Sequence, residues 1–350
     1  MKLIENIKLD GTKADKTAAM YYKTEPFVSG VGNYHHTNNN WNPRKKFDLF
    51  LGLGVGNTGD KFVKYAKRSQ AKKRVLLAMG PQPDVSNSRT IERYKMFNKR
   101  TGQNAPPMRT VTKVLGKVFE EIIMHTDYIF CIGEKGTASY NSFKQYNKPI
   151  LSFYPAISDK VSFKRGWLQT RKRNHFLCFA GNGLICKGVD VVLESFVNQK
   201  DKFLHICGPQ EPAFMSQYSK TISNSENIFY HGFVTPGGDR FNKISQLCSY
   251  VIFHASAEGC CTSVATAMKA GLVPIINPWT GVIIKDGVNG ISIKEGLPLI
   301  ENINRKVEDA SKISKREYEL MVTNNNINSE NYSQSGFIKS YTKCINEVIS

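Results

Sequence analysis

Three features of the 350-residue sequence predict a parallel α/β protein built of two Rossmann-like domains. Short apolar runs alternate with helical patterns along most of the chain, as strands joined by crossover helices require. The length is that of two ordinary domains or one large one. A polar, basic stretch from Pro155 to Asn174, carrying Lys164-Arg165-Gly166 and Arg171-Lys172-Arg173, divides the chain into two such series.

In the first series, Phe47-Asp48-Leu49-Phe50-Leu51 reads as a strand and 60–69 as a helix. Arg74 to Met79 is a strand that ends in the turn Gly80-Pro81-Gln82-Pro83. The segment 84–109 is polar and contains Pro106-Pro107, so it reads as a long loop or an insertion with a short helix. A helix at 110–125 follows, with Val111, Val114, Leu115, Val118 and Ile122 on its apolar stripe. Strands at 128–132 and 150–153 flank a helix near 136–145. In the second series, strands fall at 176–180, 203–207, 228–230, 250–254 and 272–276. Helices lie between them at 188–198, near 212–222, at 240–247 and at 262–270. The turn Asp286-Gly287-Val288-Asn289-Gly290 precedes a short strand at 291–293. The rest, 299–350, is mostly helical with an interruption at Asn324-Asn325-Asn326.

The composition excludes several classes. Hydrophobic residues make up 41% and charged residues 22%, a globular balance with enough apolar surface for real cores. No apolar run approaches the ~18 residues of a membrane-spanning helix, and the N-terminus has no signal-peptide pattern. A cytoplasmic protein is the expectation. Eight cysteines are scattered without a C-x-x-C pair, and the histidines do not fall at zinc spacing, so buried free thiols are expected rather than disulfides or a metal centre.

The net charge is +19, and it is concentrated. Residues 44–117 hold 18 cations and 4 acids, which matches the whole +14 excess of the first 150 residues. Such a region points to an anionic partner: a lipid headgroup, a phosphorylated substrate or a nucleic acid. Arg89, Arg93, Lys95, Lys99 and Arg100 are the candidate acceptor or membrane contacts. The alternative for any single lysine is plain solvated surface.

Two motifs carry chemistry. Gly54-Val55-Gly56-Asn57-Thr58-Gly59 matches a dinucleotide fingerprint, but the acid required about 20 residues later is missing. The richer segment follows the strand Tyr250 to His254: Ala255-Ser256-Ala257-Glu258-Gly259-Cys260-Cys261-Thr262-Ser263, then a helix that ends at Ala270-Gly271. It sets an acid and a glycine turn at the carboxyl edge of a parallel sheet, where such folds bind ligands. Amides from Gly259 to Ser263 at a helix N-terminus suit phosphate or sugar oxygens. The alternative makes Thr262 or Ser263 an ordinary cap and Glu258 a loop acid.

The series Ala257-Glu258-Gly259, Thr266 to Ile276 and Asp286 to Gly290 resembles the family 4 glycosyltransferases. Their pattern is a Glu-Gly turn, a helix ending Glu-Ala-Met with a nearby Gly, a strand with Pro, and Asp-Gly-x-x-Gly. Upstream, Phe179 to Asp190, Ile206-Cys207-Gly208 and His231-Gly232-Phe233-Val234 resemble further segments of that family. The likeness covers about 175–295, is only architectural for 44–160, and does not extend to 1–43.

The resemblance implies the GT-B architecture: an acceptor-side domain over 1–158 and a nucleotide-sugar domain over 159–330, facing a cleft, with a helix at 331–350 returning to the first. It implies retaining transfer from a nucleotide-sugar without a metal or other cofactor, in agreement with the absence of a D-x-D motif. By position, Lys187 meets the diphosphate from the turn that holds Gly181 and Asn182. Glu258 holds sugar hydroxyls or faces the oxocarbenium-like centre. The amides of Gly259, Cys260, Cys261, Thr262 and Ser263 meet phosphate and sugar oxygens. Gly208, Phe233 and Val234 lie on the donor side, the last two at the base. His254 is a candidate for the histidine that the first domain lacks. Two departures stand out: the family's paired Arg falls on Asn182, and the second Glu of its E-x7-E pattern falls on Thr266.

The leading functional expectation is therefore a retaining glycosyltransferase that extends a glycan or lipid-linked acceptor in surface polysaccharide synthesis, attached peripherally to the inner face of the membrane. A nucleic-acid-directed glycosyltransferase ranks second, although few aromatics accompany the basic segment. A non-catalytic binding subunit ranks third, on the strength of Asn182 and Thr266.

Overall fold

A computed structural model describes residues 2–5, 33–36, 49–68, 71–295 and 298–349. The chain divides into two units. One comprises 1–87, 110–156 and 334–350, the other 88–109 and 157–333.

Six described strands form the sheet of the first unit: β1 (Lys2–Glu5), β2 (Asn33–His36), β3 (Leu49–Leu53), β4 (Lys73–Ala78), β5 (Tyr128–Ile132) and β6 (Ile150–Phe153). Their order is β2-β1-β3-β4-β5-β6, and every pair is parallel. Parallel neighbours need crossovers, and these are α1 (Phe62–Arg68), α2 (Pro83–Thr101), α3 (Lys117–Met124) and α4 (Ala138–Asn141). Phe50, Leu76, Ile129, Phe62, Phe119 and Ile122 share one buried cluster.

The second sheet contains β7 (Lys172–Phe179), β8 (Phe203–Cys207), β9 (Ile228–Tyr230), β10 (Cys248–Phe253), β11 (Val273–Ile276) and β12 (Ile291–Ser292). Its order is β12-β11-β10-β7-β8-β9, again all parallel. Read from β7, this is the 3-2-1-4-5-6 order of dinucleotide-binding folds. Its helices are α5 (Val189–Phe196), α6 (Pro212–Asn224), α7 (Asp239–Leu247), α8 (Thr262–Lys269), α9 (Leu299–Lys312) and α10 (Lys315–Ser329). The last helix, α11 (Gln334–Ile349), belongs to the first unit, where Tyr341 packs edge-on against Phe130 and Phe153. All eight cysteines are free and buried.

Four departures from the sequence reading have physical causes. Most of the segment 84–109 lies in a 19-residue helix, α2, which ends at Thr101, rather than in a loop with a short helix. Its buried positions Asn87, Thr90, Arg93, Tyr94 and Phe97 recur at helical spacing, but three of the five are polar. The helix at 110–125 begins only at Lys117, because Gly116 enters it with a positive φ. The triple asparagine does not interrupt α10: Asn325 is buried and donates to the Leu272 carbonyl at 2.6 Å. β1 and β2 lie where no element was placed. Phe47 and Asp48, expected to open a strand, lie outside the described residues.

The second sheet carries a histidine ladder on β7, β8 and the residue after β9. His175 and His205 meet at 2.9 Å, and His205 and His231 at 3.0 Å, with Phe203 and Phe229 stacked alongside. Burial, aided by Lys172, lowers His175 to about 4. Burial and its two imidazole neighbours lower His205 to about 3, and burial with Arg240 lowers His231. Unfolded imidazoles take up protons below about pH 6.5 that the folded ladder refuses. Its stabilising effect is therefore complete above that pH and lost as pH falls towards 4. Thermal unfolding between pH 7.5 and 4 should show a falling midpoint, with a shallower fall in His205→Phe. Equal slopes in both proteins would dissociate the ladder from acid sensitivity.

Candidate active site

The site grows from two strand ends. β7 and β10 are the central neighbours at which the order of the second sheet reverses. Open parallel sheets bind ligands outside the carboxyl ends of their strands at this point, because the crossovers leave on opposite sides. After β7 the chain turns through 180–188 into α5. After β10 it turns through 254–261 into α8.

Backbone bonds hold the second turn in place. The Ser256 amide donates to the Cys186 carbonyl at 2.8 Å, tying it to the first turn. The amides of Glu258 and Cys261 donate to the carbonyls of Trp279 and Thr280 at 2.9 and 2.7 Å. Asn277 donates from its side chain to Ala255 at 2.9 Å. Two glycines permit the close approach. A Cβ on Gly281, at φ +69°, would lie 2.0 Å from the Gly259 carbonyl oxygen, and one on Gly188, at φ +75°, 2.3 Å from that of His254.

Glu258 receives two cations on one oxygen. Lys187 Nζ and Arg109 Nη1 each lie 2.6 Å from Oε1. Burial alone would raise this carboxyl, but the Arg109 and Lys187 charges outweigh it and hold the group down at about 2. Glu258 is therefore a full carboxylate at neutral pH. Two cations and one anion leave the cluster with net charge +1.

The helix α2 supplies arginines to the same unit. Arg93 Nη2 lies 2.6 Å from His254 Nδ1. A guanidinium can only donate, so Nδ1 accepts and the imidazole proton sits on Nε2. Burial, reinforced by Arg93, keeps His254 well below its ordinary range and hence neutral. Arg89 donates to the Ser256 carbonyl, pairs with Glu295 and lies 4.0 Å over the Trp279 ring. Arg100 pairs with Asp190 and Glu194 on α5. Tyr94 donates to Glu211 at 2.7 Å, and the other oxygen of Glu211 accepts from the Ile185 amide. A cavity of about 480 Å³ opens beside the turn, lined by Arg89, Arg93, Met96, His254, Ser256 and Glu295 among others.

The structure thus brings together Glu258, Lys187 and His254, with Gly181 half-buried in the β7 turn and Asn182 exposed there. Gly208 is required by packing, since a Cβ would meet Leu184 at 2.8 Å. Phe233 is 67% exposed, whereas Val234 is 3% exposed and part of a core cluster. Cys261, not Thr262 or Ser263, occupies the N-cap position of α8, and no side chain caps that helix. Gly259, Cys260 and Cys261 are buried in the turn, and Thr266 is buried one turn into α8. Of the five expected acceptor or membrane cations, Arg89, Arg93 and Arg100 are engaged within the second unit, and Lys95 and Lys99 are exposed. Among the described residues no group of three His, Cys, Asp or Glu side chains is placed to hold a metal ion. Arg109 is absent from the sequence reading; it lies 149 positions from Glu258, in a loop without periodicity.

With this geometry in hand, residues 162–327, inside the second unit, match the model of the glycosyl transferases group 1. No curated protein matches the chain by sequence. Among solved structures, the chain is similar to Anabaena Alr3699/HepE in complex with UDP and glucose, with TM-score 0.61 and 10% identity over 99% of both chains. It is also similar to the lipopolysaccharide outer core galactosyltransferase WaaB, with TM-score 0.60 and 12% identity over 99% of this chain and 98% of that one. A mutant of S. aureus TarM in complex with Fondaparinux, alpha-GlcNAc-glycerol and UDP gives TM-score 0.58 and 13% identity. This chain spans only 55% of the TarM chain, with 86% of its own length covered. The fold is that of the GT-B glycosyltransferases.

Proposed function

We propose that the protein is a retaining glycosyltransferase of the family 4 type, moving a sugar from a nucleotide-sugar to a glycan or lipid-linked acceptor in surface polysaccharide synthesis. The observation that carries this reading is the Glu258–Lys187 pair at the switch point of the domain that matches the glycosyl transferases group 1. UDP bound to HepE and TarM makes UDP-sugars the first donors to try.

The chemistry follows from charge. As the glycosidic bond breaks, the nucleoside diphosphate gathers negative charge and the sugar gathers positive charge. Lys187 stabilises the first, aided by the uncapped N-terminus of α8. Glu258, ionised throughout, stabilises the second and accepts from sugar hydroxyls through Oε2. Among the described residues that oxygen carries no hydrogen bond, so it is free for substrate. Release of nucleoside diphosphate from a donor panel tests the reading. Binding without turnover would favour a non-catalytic subunit, for which exposed Asn182 and buried Thr266 speak.

On the acceptor side we propose peripheral attachment to an anionic membrane. No helix among the described residues is long and apolar enough to cross one. Lys95, Lys99 and Arg100 are the exposed cations of α2, and Arg100 is paired with Asp190 and Glu194. Near a charged bilayer each contributes roughly 1 kcal/mol, fading within a Debye length. Co-sedimentation with anionic vesicles should be salt-sensitive and weaker in Lys95→Glu/Lys99→Glu. Equal recovery with neutral vesicles would contradict attachment by charge, and tight salt-sensitive retention on DNA would favour a nucleic-acid acceptor.

A further inference from the structure

We infer that Arg109 is the second cation of the diphosphate site, supplied from outside the segment 162–327 that matches the glycosyl transferases group 1, in place of the cation that Asn182 does not provide. The inference rests on the donor reading above. The loop after α2 brings Arg109 Nη1 to the carboxylate oxygen that Lys187 holds, 2.6 Å from each cation. One carboxylate neutralises one cation, so the site keeps a positive charge for an anionic ligand. The two cations differ in access. The Lys187 side chain is 8% exposed, but that of Arg109 is 43% exposed, so a ligand can reach it from solvent.

The turn that carries Asn182 is shaped around this arginine. Gly183 has φ +86°, and a Cβ there would lie 3.0 Å from Arg109 Cδ and 2.7 Å from Cys186 Sγ. The arginine side chain therefore runs directly over the glycine next to Asn182. Asn182 itself is exposed and makes no hydrogen bond among the described residues. Arg109 has φ +63°, a left-handed conformation unusual for a residue with a Cβ. Such conformations persist where surrounding contacts over-determine them, and functional sites are where they cluster.

A guanidinium suits this position better than a second lysine. Its planar fork can hold Glu258 with one N–H and offer others to phosphate oxygens, whereas an ammonium is a point charge. On donor binding Arg109 would bridge carboxylate and diphosphate without the carboxylate losing its partner. Charge-assisted bonds of this kind lie at the strong end of hydrogen bonding.

Titration calorimetry with UDP, GDP and ADP, and with the matching nucleosides, tests the inference. Arg109→Ala should weaken the diphosphate that wild type prefers by tenfold or more and leave the nucleoside unchanged. Arg109→Lys should fall between, and Asn182→Arg added to Arg109→Ala should restore most of the loss. Unchanged diphosphate affinity in Arg109→Ala would overturn the inference and leave the donor reading standing. Equal losses for nucleoside and diphosphate would reduce Arg109 to a structural role and overturn it too. Wild type with no affinity for any of the three diphosphates would overturn both.

Discussion

Glu258→Gln and Lys187→Ala are each expected to lower turnover roughly a hundredfold, about 3 kcal/mol of transition-state stabilisation. Glutamine keeps the shape of Glu258 but cannot balance a developing oxocarbenium charge, and it leaves Lys187 and Arg109 facing each other without their shared anion. Lys187→Ala removes the less exposed of the two cations on Glu258, and Asn182 supplies none in its neighbourhood. Both residues lie in turns beyond the strand ends, so circular dichroism and thermal unfolding should report a folded protein in each case. The check is initial-rate kinetics with a donor that wild type converts. Near wild-type rates in both variants would remove Glu258 and Lys187 from the chemistry.

Gly281→Ala is the second large effect expected. The methyl group would enter a backbone with φ +69° and press on the Gly259 carbonyl and the Cys260 Cα. The left-handed conformation alone costs roughly 1–2 kcal/mol for a residue with a Cβ. The contact costs more, because backbone atoms rather than a flexible side chain must move. The segment that would shift is the turn carrying Glu258, held to 279–280 by the amides of Glu258 and Cys261. Thermal unfolding should show a lowered midpoint, and turnover should fall at least tenfold even where the protein remains folded. Gly287→Ala, at φ +74° with open space around it, provides the comparison: strain without collision, and an unchanged Glu258 turn. Similar activity losses in both would detach the effect from the Glu258 turn.

The parts of this architecture that were legible in the sequence are the local ones. The second-unit strands could be read to within a residue or two at most ends, because buried parallel strands are short apolar runs bounded by turns. Glu258 was legible for a related reason, since it follows a readable strand closely enough to be set at the carboxyl edge by chain length, whereas Lys187 came from the resemblance of Phe179 to Asp190 to the family 4 glycosyltransferases. What escaped depends on long-range partners. The buried face of α2 carries Asn87, Thr90 and Arg93, so an apolar count sees no stripe, and a folded unit gives these residues their partners. The same blindness made the arginines of α2 look like surface charge. Arg109 had no local signal at all.

The role assigned to Glu258 and Lys187 is sugar transfer from a nucleotide donor. Its most direct test is nucleoside diphosphate release from UDP-glucose, UDP-galactose and UDP-N-acetylglucosamine, with the anomeric configuration of the freed or transferred sugar followed by proton NMR. At least one donor should be consumed by wild type with its configuration retained, and that consumption should be lost in Glu258→Gln. Inverted configuration in the product, or no consumption of any nucleotide-sugar by a folded wild-type protein, would contradict it.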